Sequence, residues 1–363
     1  MPMLRPALIA FAIAIAAAPA MAQVPRARDG KPDLTGIWSH ASVTPLQRAP
    51  ANKTLVVSEE EAKRIVDGHS VGGYTVNELY NSSAYSDPKA GPPPKGGKDS
   101  LVQAYDFFWR DPGNKLAFVR GEYRTSYIVE PANGQLPLKD PKGDAERRRL
   151  DRELREQYNS DSGGVAYEGP EVPNLGERCL IGLGNTGGPG MLTGSYNNNY
   201  RFVQTADYVM ILVEMVHEAR IAPIFATAAE ARAHHKPSAI KPWFGDSVGW
   251  WEGDTFVMET INVYPEQQQN HGFTISPKAV ITERFTRASE KDVVYEFTVD
   301  DPDTYTQPWK AELSFYPSKG MYEYACHEGN YGMTGILAGA REKERRWAAE
   351  SAKAKTKNIK GGQ

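Results

Sequence analysis

The segment "YEYACHEGNYGM", residues 322–333, places Cys326, His327 and Glu328 side by side, and a second histidine–glutamate pair lies at His217–Glu218. An imidazole next to a carboxylate offers a proton donor and acceptor that both work near neutral pH. The spacing predicts His217, His327 and Glu328 as catalytic groups for proton transfer or water addition. Neither pair fits HExxH or another zinc spacing, and the chain has only seven histidines, so no metal site is expected. Strict alternation in "YVMILVEMVHEARI" puts Val209, Ile211, Val213, Met215 and His217 on one strand face. Glu214, Glu218 and Arg220 fall on the other, with Glu218 and Arg220 read as a same-face ion pair. His217 then ends an apolar row, either as an imidazole at the mouth of a pocket or as a hydrogen-bonded histidine at a sheet end.

The only two cysteines, Cys179 and Cys326, are expected to pair if the chain is exported to an oxidising compartment. That bond would pin "GERCLIGLGNTGGPG" against "CHEGNYG". Glycine packs poorly and is entropically costly to order, so two stapled glycine-rich loops suggest backbone that approaches a ligand closely. On this reading Arg178, His327, Glu328, Asn330 and Tyr331 form one wall of a site. The alternative is a structural knot that ties two loop ends together. Asn198 and Tyr200 of "YNNNY", Asp246 of "KPWFGDS", and Trp250 are further candidate ligand contacts. Trp250 and Trp251 must face opposite sides of a strand, so one of them lines the interior.

Missing motifs narrow the chemistry. There is no GxSxG elbow, no GxGxxG after a strand, no Walker A loop and no CxxCH haem site. No cofactor is therefore expected, and any catalysis would rest on histidine and carboxylate alone.

The elements that must position these groups are mostly strands. From residue 196 the apolar period is two, with polar turns between runs. Strands are predicted at Tyr208–Ile221, Thr255–Val263, Val280–Arg287, Val293–Val299 and Glu312–Tyr316, with hairpins at Ala206–Asp207 and Gly253–Asp254. Another hairpin is expected around Asn133–Gly134. Consecutive strands with short turns pair antiparallel, and a long sheet hides its edges by closing into a barrel or folding into a sandwich. The fold class expected is mainly β, a lipocalin-like antiparallel meander with peripheral helices. Capping boxes at Ser58–Glu61 and Thr227–Glu230 mark two of those helices. Residues 141–160 form a charged third, and the tail is helical at first and then basic and frayed. Residues 81–100, with "GPPPKGGKDS", read as an irregular loop.

The N-terminus gives the address. Arg5, the run "ALIAFAIAIAAAPA" and the Ala-x-Ala ending at Ala22 have the three parts of a secretory signal peptide. Cleavage is expected after Ala22, with no cysteine nearby to carry a lipid. The expected organisation is a signal at 1–22, one β-rich domain over 23–348 and a basic tail over 349–363, located in the periplasm or secreted. Loss of Arg5 takes the formal charge from −3 to −4. So small a net charge suggests neither a nucleic-acid partner nor a membrane surface.

Several long stretches carry a resemblance: "PDLTGIW", "YNNNYRFVQT", "WFGDSVGWWEGDTFVMET", "TERFTR", "DPDTYTQPW" and "YEYACHEGNYGM". Together they resemble a large family of exported proteins of soil and aquatic proteobacteria and acidobacteria. The resemblance spans most of the mature chain and implies no particular reaction. Gly36-x-Trp38 at the start of a β-rich chain is also similar to the lipocalin signature. Three readings follow. The first is a cofactor-independent isomerase, lyase or hydrolase acting on an apolar or aromatic small molecule. The second is a lipocalin-like binding protein for such a molecule, and the third a structural module of the envelope. A filled barrel would favour the third.

Overall fold

The computed structural model describes residues 24–71, 74–76, 111–159, 169–171, 173, 175–182, 184–267, 272–327 and 332–360. In chain order the first strands are β1 (Gly36–Ser39), β2 (Val56–Val57), β3 (Ser70–Val71), β4 (Tyr74–Thr75), β5 (Phe118–Val119), β6 (Glu122–Arg124) and β7 (Ile128–Glu130). A run of eight follows: β8 (Asn199–Gln204), β9 (Tyr208–Val213), β10 (Ala219–Phe225), β11 (Asp246–Glu252), β12 (Thr255–Ile261), β13 (Val280–Ser289), β14 (Asp292–Asp300) and β15 (Trp309–Pro317). The helices are α1 (Glu59–Asp67), α2 (Pro141–Asn159), α3 (Ala228–Ala233) and α4 (Gly332–Lys360). Ser58 and Thr227 cap α1 and α3 through side-chain oxygens that accept from the third residue on. Helix α4 runs on past residue 348. The signal segment and the loop 81–100 lie outside the described residues.

Strands β8 to β15 pair in sequence order, and β1 pairs with both β8 and β15, which closes a nine-stranded barrel. Trp38 lies opposite Tyr200 on one side and Pro317 on the other. Strand β7 pairs with β15 at Lys310 and Ala311, along the part of that edge that β1 leaves uncovered. Each antiparallel pair reverses strand direction, so a ring with an odd number of strands must contain a parallel pair. That pair is β10–β11, and the barrel is mixed rather than wholly antiparallel. Parallel neighbours need a long crossover, supplied here by residues 226–245, which include α3.

Alternation divides the side chains between two environments. Phe202, Ile211, Phe256, Phe285, Tyr295, Phe297, Leu313 and Phe315 point inward and are buried, packing as tilted and edge-on aromatic pairs. Each such side chain contributes about 1.5–3 kcal/mol by leaving water. Outside, Val248, Trp250 and Val257 are covered by Ala231 of α3, so β11 and β12 are apolar on both faces. On the outer faces of β14 and β15, Glu296 and Glu312 meet Arg120 and Lys310.

The lumen is filled. Residues 185–192 of the glycine-rich loop are buried and reach in among the inward-facing side chains. Glycine is needed there. At Gly188 (φ +79°) a Cβ would lie 2.6 Å from Arg220 Nη1, and at Gly190 (φ +71°) it would lie 3.0 Å from Phe273 and 3.1 Å from Phe297. A buried loop must find partners for its amides. Gly190 N donates to Glu283 Oε1 (3.2 Å), Met191 N to Tyr295 Oη (2.9 Å) and Leu192 N to Asn185 O (2.9 Å). Tyr200 Oη donates to Thr186 O (2.8 Å). Glu283 also accepts from Tyr295 Oη and is paired at both oxygens with Arg220, each side chain nearly inaccessible to water. Arg220 is thus not the partner of Glu218. It faces inward and is the counterion of Glu283.

Two other expectations are corrected. The run from Tyr208 to Ile221 is not one strand. It breaks at a 3-10 turn, Met215–His217, with Val216 and His217 at φ 61° and 44°. Val213 N and Glu218 O close the resulting β9–β10 hairpin. Gly134 does turn the chain at φ +70°, with Gly134 N bonded to Pro131 O, but no hairpin forms. The backbone and side chain after the turn bind Gln47 and Arg48 instead, and β7 pairs with β15.

The buried ion pair gives a testable contrast. Glu283→Gln leaves the Arg220 charge in the barrel without a counterion, and urea unfolding should show a loss of about 3–5 kcal/mol. Glu296→Gln on the outer face, where Glu312 still serves Arg120 and Lys310, should lose about 1 kcal/mol or less.

Candidate functional site

The disulfide is present. Cys179 and Cys326 are bonded with Cα atoms 5.7 Å apart, and they join positions 147 residues apart in the chain. The bond ties the start of the glycine-rich loop to the segment after β15. The loop's glycines bring backbone close to barrel side chains, which is the packing role that the sequence reading discounted.

The expected site residues disperse. His217 and His327 are exposed; His217 Nδ1 bonds Tyr324 O (3.1 Å), which holds the two segments next to each other. Glu328, Asn330 and Tyr331 lie outside the described residues. Arg178 is paired with Glu266 at 3.1 Å. Asn198 is buried and structural: its Oδ1 accepts from Gly194 N (2.7 Å) and its Nδ2 donates to Asp111 O and Gly194 O. Tyr200 is inside the barrel. Trp250 is on the outside under α3, and Trp251 is the one that packs inward on Phe256. Of the predicted ligand contacts, Asp246 lines a cavity between β10 and β11.

That cavity is a cleft of about 380 Å³ in the barrel wall, between β10 and β11. The two strands are in register only at Ile224–Gly249 and Phe225–Trp250 and part from there toward Ala219 and Asp246. The cause is local. Ile224 N points to β9, where it donates to Asp207 O (2.7 Å). Amides alternate sides along a strand, so position 223 would donate toward β11, and Pro223 has no N–H. The returning crossover fills the gap only in part. Pro242, Trp243 and Phe244 form an apolar wall, with Ile221 and Pro223 opposite and Ser247 and Arg220 lining the inner part. Trp243 leans on Tyr264 with ring centres 4.3 Å apart. Glu218, His234, Lys236 and Asp246 supply the polar lining. Burial pushes the Glu218 carboxyl above its ordinary value, against the opposing pull of the Ala219 N–H and the His217 ring.

Behind the cleft, His235 ties the crossover to the barrel. Its Nδ1 is 2.9 Å from Asp246 Oδ2, and its Nε2 is 3.6 Å from Glu259 Oε1, an ion-pair distance beyond hydrogen-bond reach. Arg232 forms a two-pronged contact with Glu259, and Lys236 Nζ is 3.4 Å from Asp246 Oδ1. Burial works against a charged His235, but Glu259 and Asp246 outweigh it and raise its pKa. Burial likewise opposes the Glu259 carboxylate, while His235 and Arg232 hold its pKa below the ordinary value.

One histidine went unnoticed in the sequence. His40 is buried between Thr193 Oγ1 (3.0 Å from Nδ1) and Tyr200 Oη (2.7 Å from Nε2). Tyr200 Oη donates its hydrogen bond to Thr186 O and so accepts from the ring, which suits a neutral ring protonated at Nε2. Burial pushes its pKa down to about 3. The signal was available: His40 is two residues after Trp38 and shares its face. Phe244 and Lys236 were also missed, because nothing in their spacing marks them as neighbours of β10. Compared with models of known protein families, with curated proteins and with solved structures, the chain matches none.

The His235 contact makes stability depend on pH. The folded pKa is raised, so the folded state holds the proton more tightly. The stabilisation is complete below the ordinary imidazole value of about 6.5 and is lost as pH rises through the raised folded value. Thermal midpoints of the native protein should therefore fall across the window above about pH 6.5, and those of His235→Gln should change much less there. Equal slopes for the two proteins would exclude the contact as the cause.

Proposed function

We propose that this is an exported binding protein that takes an apolar or aromatic small molecule into the β10–β11 cleft. The observation that carries the proposal is the parted parallel pair. It leaves an opening in an otherwise filled barrel, with a volume in the range of small-molecule sites, an aromatic wall and a few convergent polar groups. The buried residues 185–192 and the inward-facing aromatic side chains weigh against the lipocalin-like mode of binding, in which the ligand sits inside the barrel. They favour the structural reading of the barrel itself, so the cleft in its wall carries the functional one.

Export is supported by the signal-like N-terminus and by the disulfide. Among the described residues no helix is long and apolar enough to cross a membrane. The motifs that resemble the exported proteobacterial and acidobacterial family point the same way. The enzymatic reading loses its original groups, since His217 and His327 do not line the cleft. Glu218 remains as a half-buried carboxyl that does.

Trp243→Ala provides the test. Aromatic small molecules that raise the thermal midpoint of the native protein should bind Trp243→Ala about tenfold more weakly or worse, the loss expected for a truncated aromatic contact. The unliganded midpoints should stay close, because Trp243 is only partly buried. Ligands that protect both proteins equally would place binding elsewhere.

A further inference from the structure

We propose that the cleft selects an organic cation, an ammonium or amidinium group carried on an aromatic or aliphatic body, and that Glu218 is its counterion. The inference rests on the binding reading above. It follows from an accounting of charge around the cleft. Arg220 is neutralised inside the barrel by Glu283. Asp246 is matched by His235 and Lys236, and the Lys236 ammonium is in turn taken up by Asp246. His234 is exposed, with Nδ1 on Glu230 O and its ring stacked on Phe225 at 4.4 Å. Among the described residues Glu218 alone lines the cleft as a charged group with no ion-pair partner. The neighbouring His217 ring acts on it only at a distance, its Nδ1 being on Tyr324 O.

The surroundings of that carboxylate decide between ligand classes. Glu218 is half-buried and lines the same cleft as Trp243, Phe244, Pro242 and Ile221. A neutral ligand would strip more water from the carboxylate and return nothing. An anion would add repulsion at short range. A cation gives the carboxylate a charged hydrogen-bond partner, and an aromatic lining that includes Trp243 favours the same charge. The cleft thus combines an unmatched acid with aromatic walls, the two features that recognise alkylammonium groups.

Three matched probes test this: benzylammonium, benzyl alcohol and phenylacetate, titrated by NMR into the native protein, Glu218→Gln and Trp243→Ala. The expected result is that benzylammonium binds the native protein about tenfold more tightly than benzyl alcohol. That preference should disappear in Glu218→Gln, which should still bind benzyl alcohol and so show an intact cleft. If benzyl alcohol or phenylacetate binds the native protein as well as benzylammonium, and Trp243→Ala weakens that binding, the cation inference is overturned and the cleft reading stands. If no probe binds in a manner sensitive to Trp243→Ala, the cleft reading falls and the cation inference falls with it.

Discussion

A peptide segment has been placed inside a β-barrel, and its amides must be hydrogen-bonded there. Most of the unusual chemistry of this molecule follows from that constraint. Barrel interiors of this size are commonly filled by side chains. Here residues 185–192 take part of the space, and backbone brings donors that aliphatic walls cannot satisfy. Glu283 accepts from Gly190 N, and Tyr295 from Met191 N. A carboxylate in that setting requires a cation, which Arg220 provides from across the barrel. Thr260 then accepts from Arg220 at 3.1 Å and shares a hydrogen bond with Ser247. A polar chain therefore runs from the plug to the wall beside the cleft, and each member is explained by the one before it.

The cleft has a topological origin. A ring of nine strands must include a parallel pair, a parallel pair needs a crossover, and the crossover must be fixed to the barrel. Arg232, His235 and Lys236 do this on the acids Glu259 and Asp246. Pro223 then removes a donor along the one seam where pairing is already minimal. Strand count, crossover and proline together set where the wall parts.

Much of the barrel was legible in the sequence. Strands β12 to β15 have clean alternation with polar turns between them, and Gly253 at φ 60° serves the tight β11–β12 turn as its position in the pattern suggested. The cysteine pair was legible because it is the only one. The break after Val213 was not, since Met215 and Val216 continue the apolar run and no glycine, asparagine or proline marks the turn. Closure was also hidden. Strand β1 has four residues, and both its partners are far away in the chain. The site was harder still. Glycine-rich sequence signals close backbone approach, but not whether the approaching group is a ligand or the protein's own Arg220 and Phe297. The cleft depends on which way the 223 amide would have pointed, and that is fixed only once β9 has claimed Ile224.

The pairing of β1 with β15 bears on the order in which the chain can become native. Ser39 is made long before Tyr316, the residue that covers the second edge of β1. Strands β8 to β15 can pair as they emerge, by local hairpins everywhere except at the parallel β10–β11 crossover. The ring stays an open sheet until residue 317 has been delivered, and through that interval two edges are available for pairing with other chains. Contacts this distant in sequence also slow folding. A chain delivered N-terminus first would complete its barrel only when the last strand arrives, so vulnerability to aggregation would be concentrated in the time between the first strand and the last.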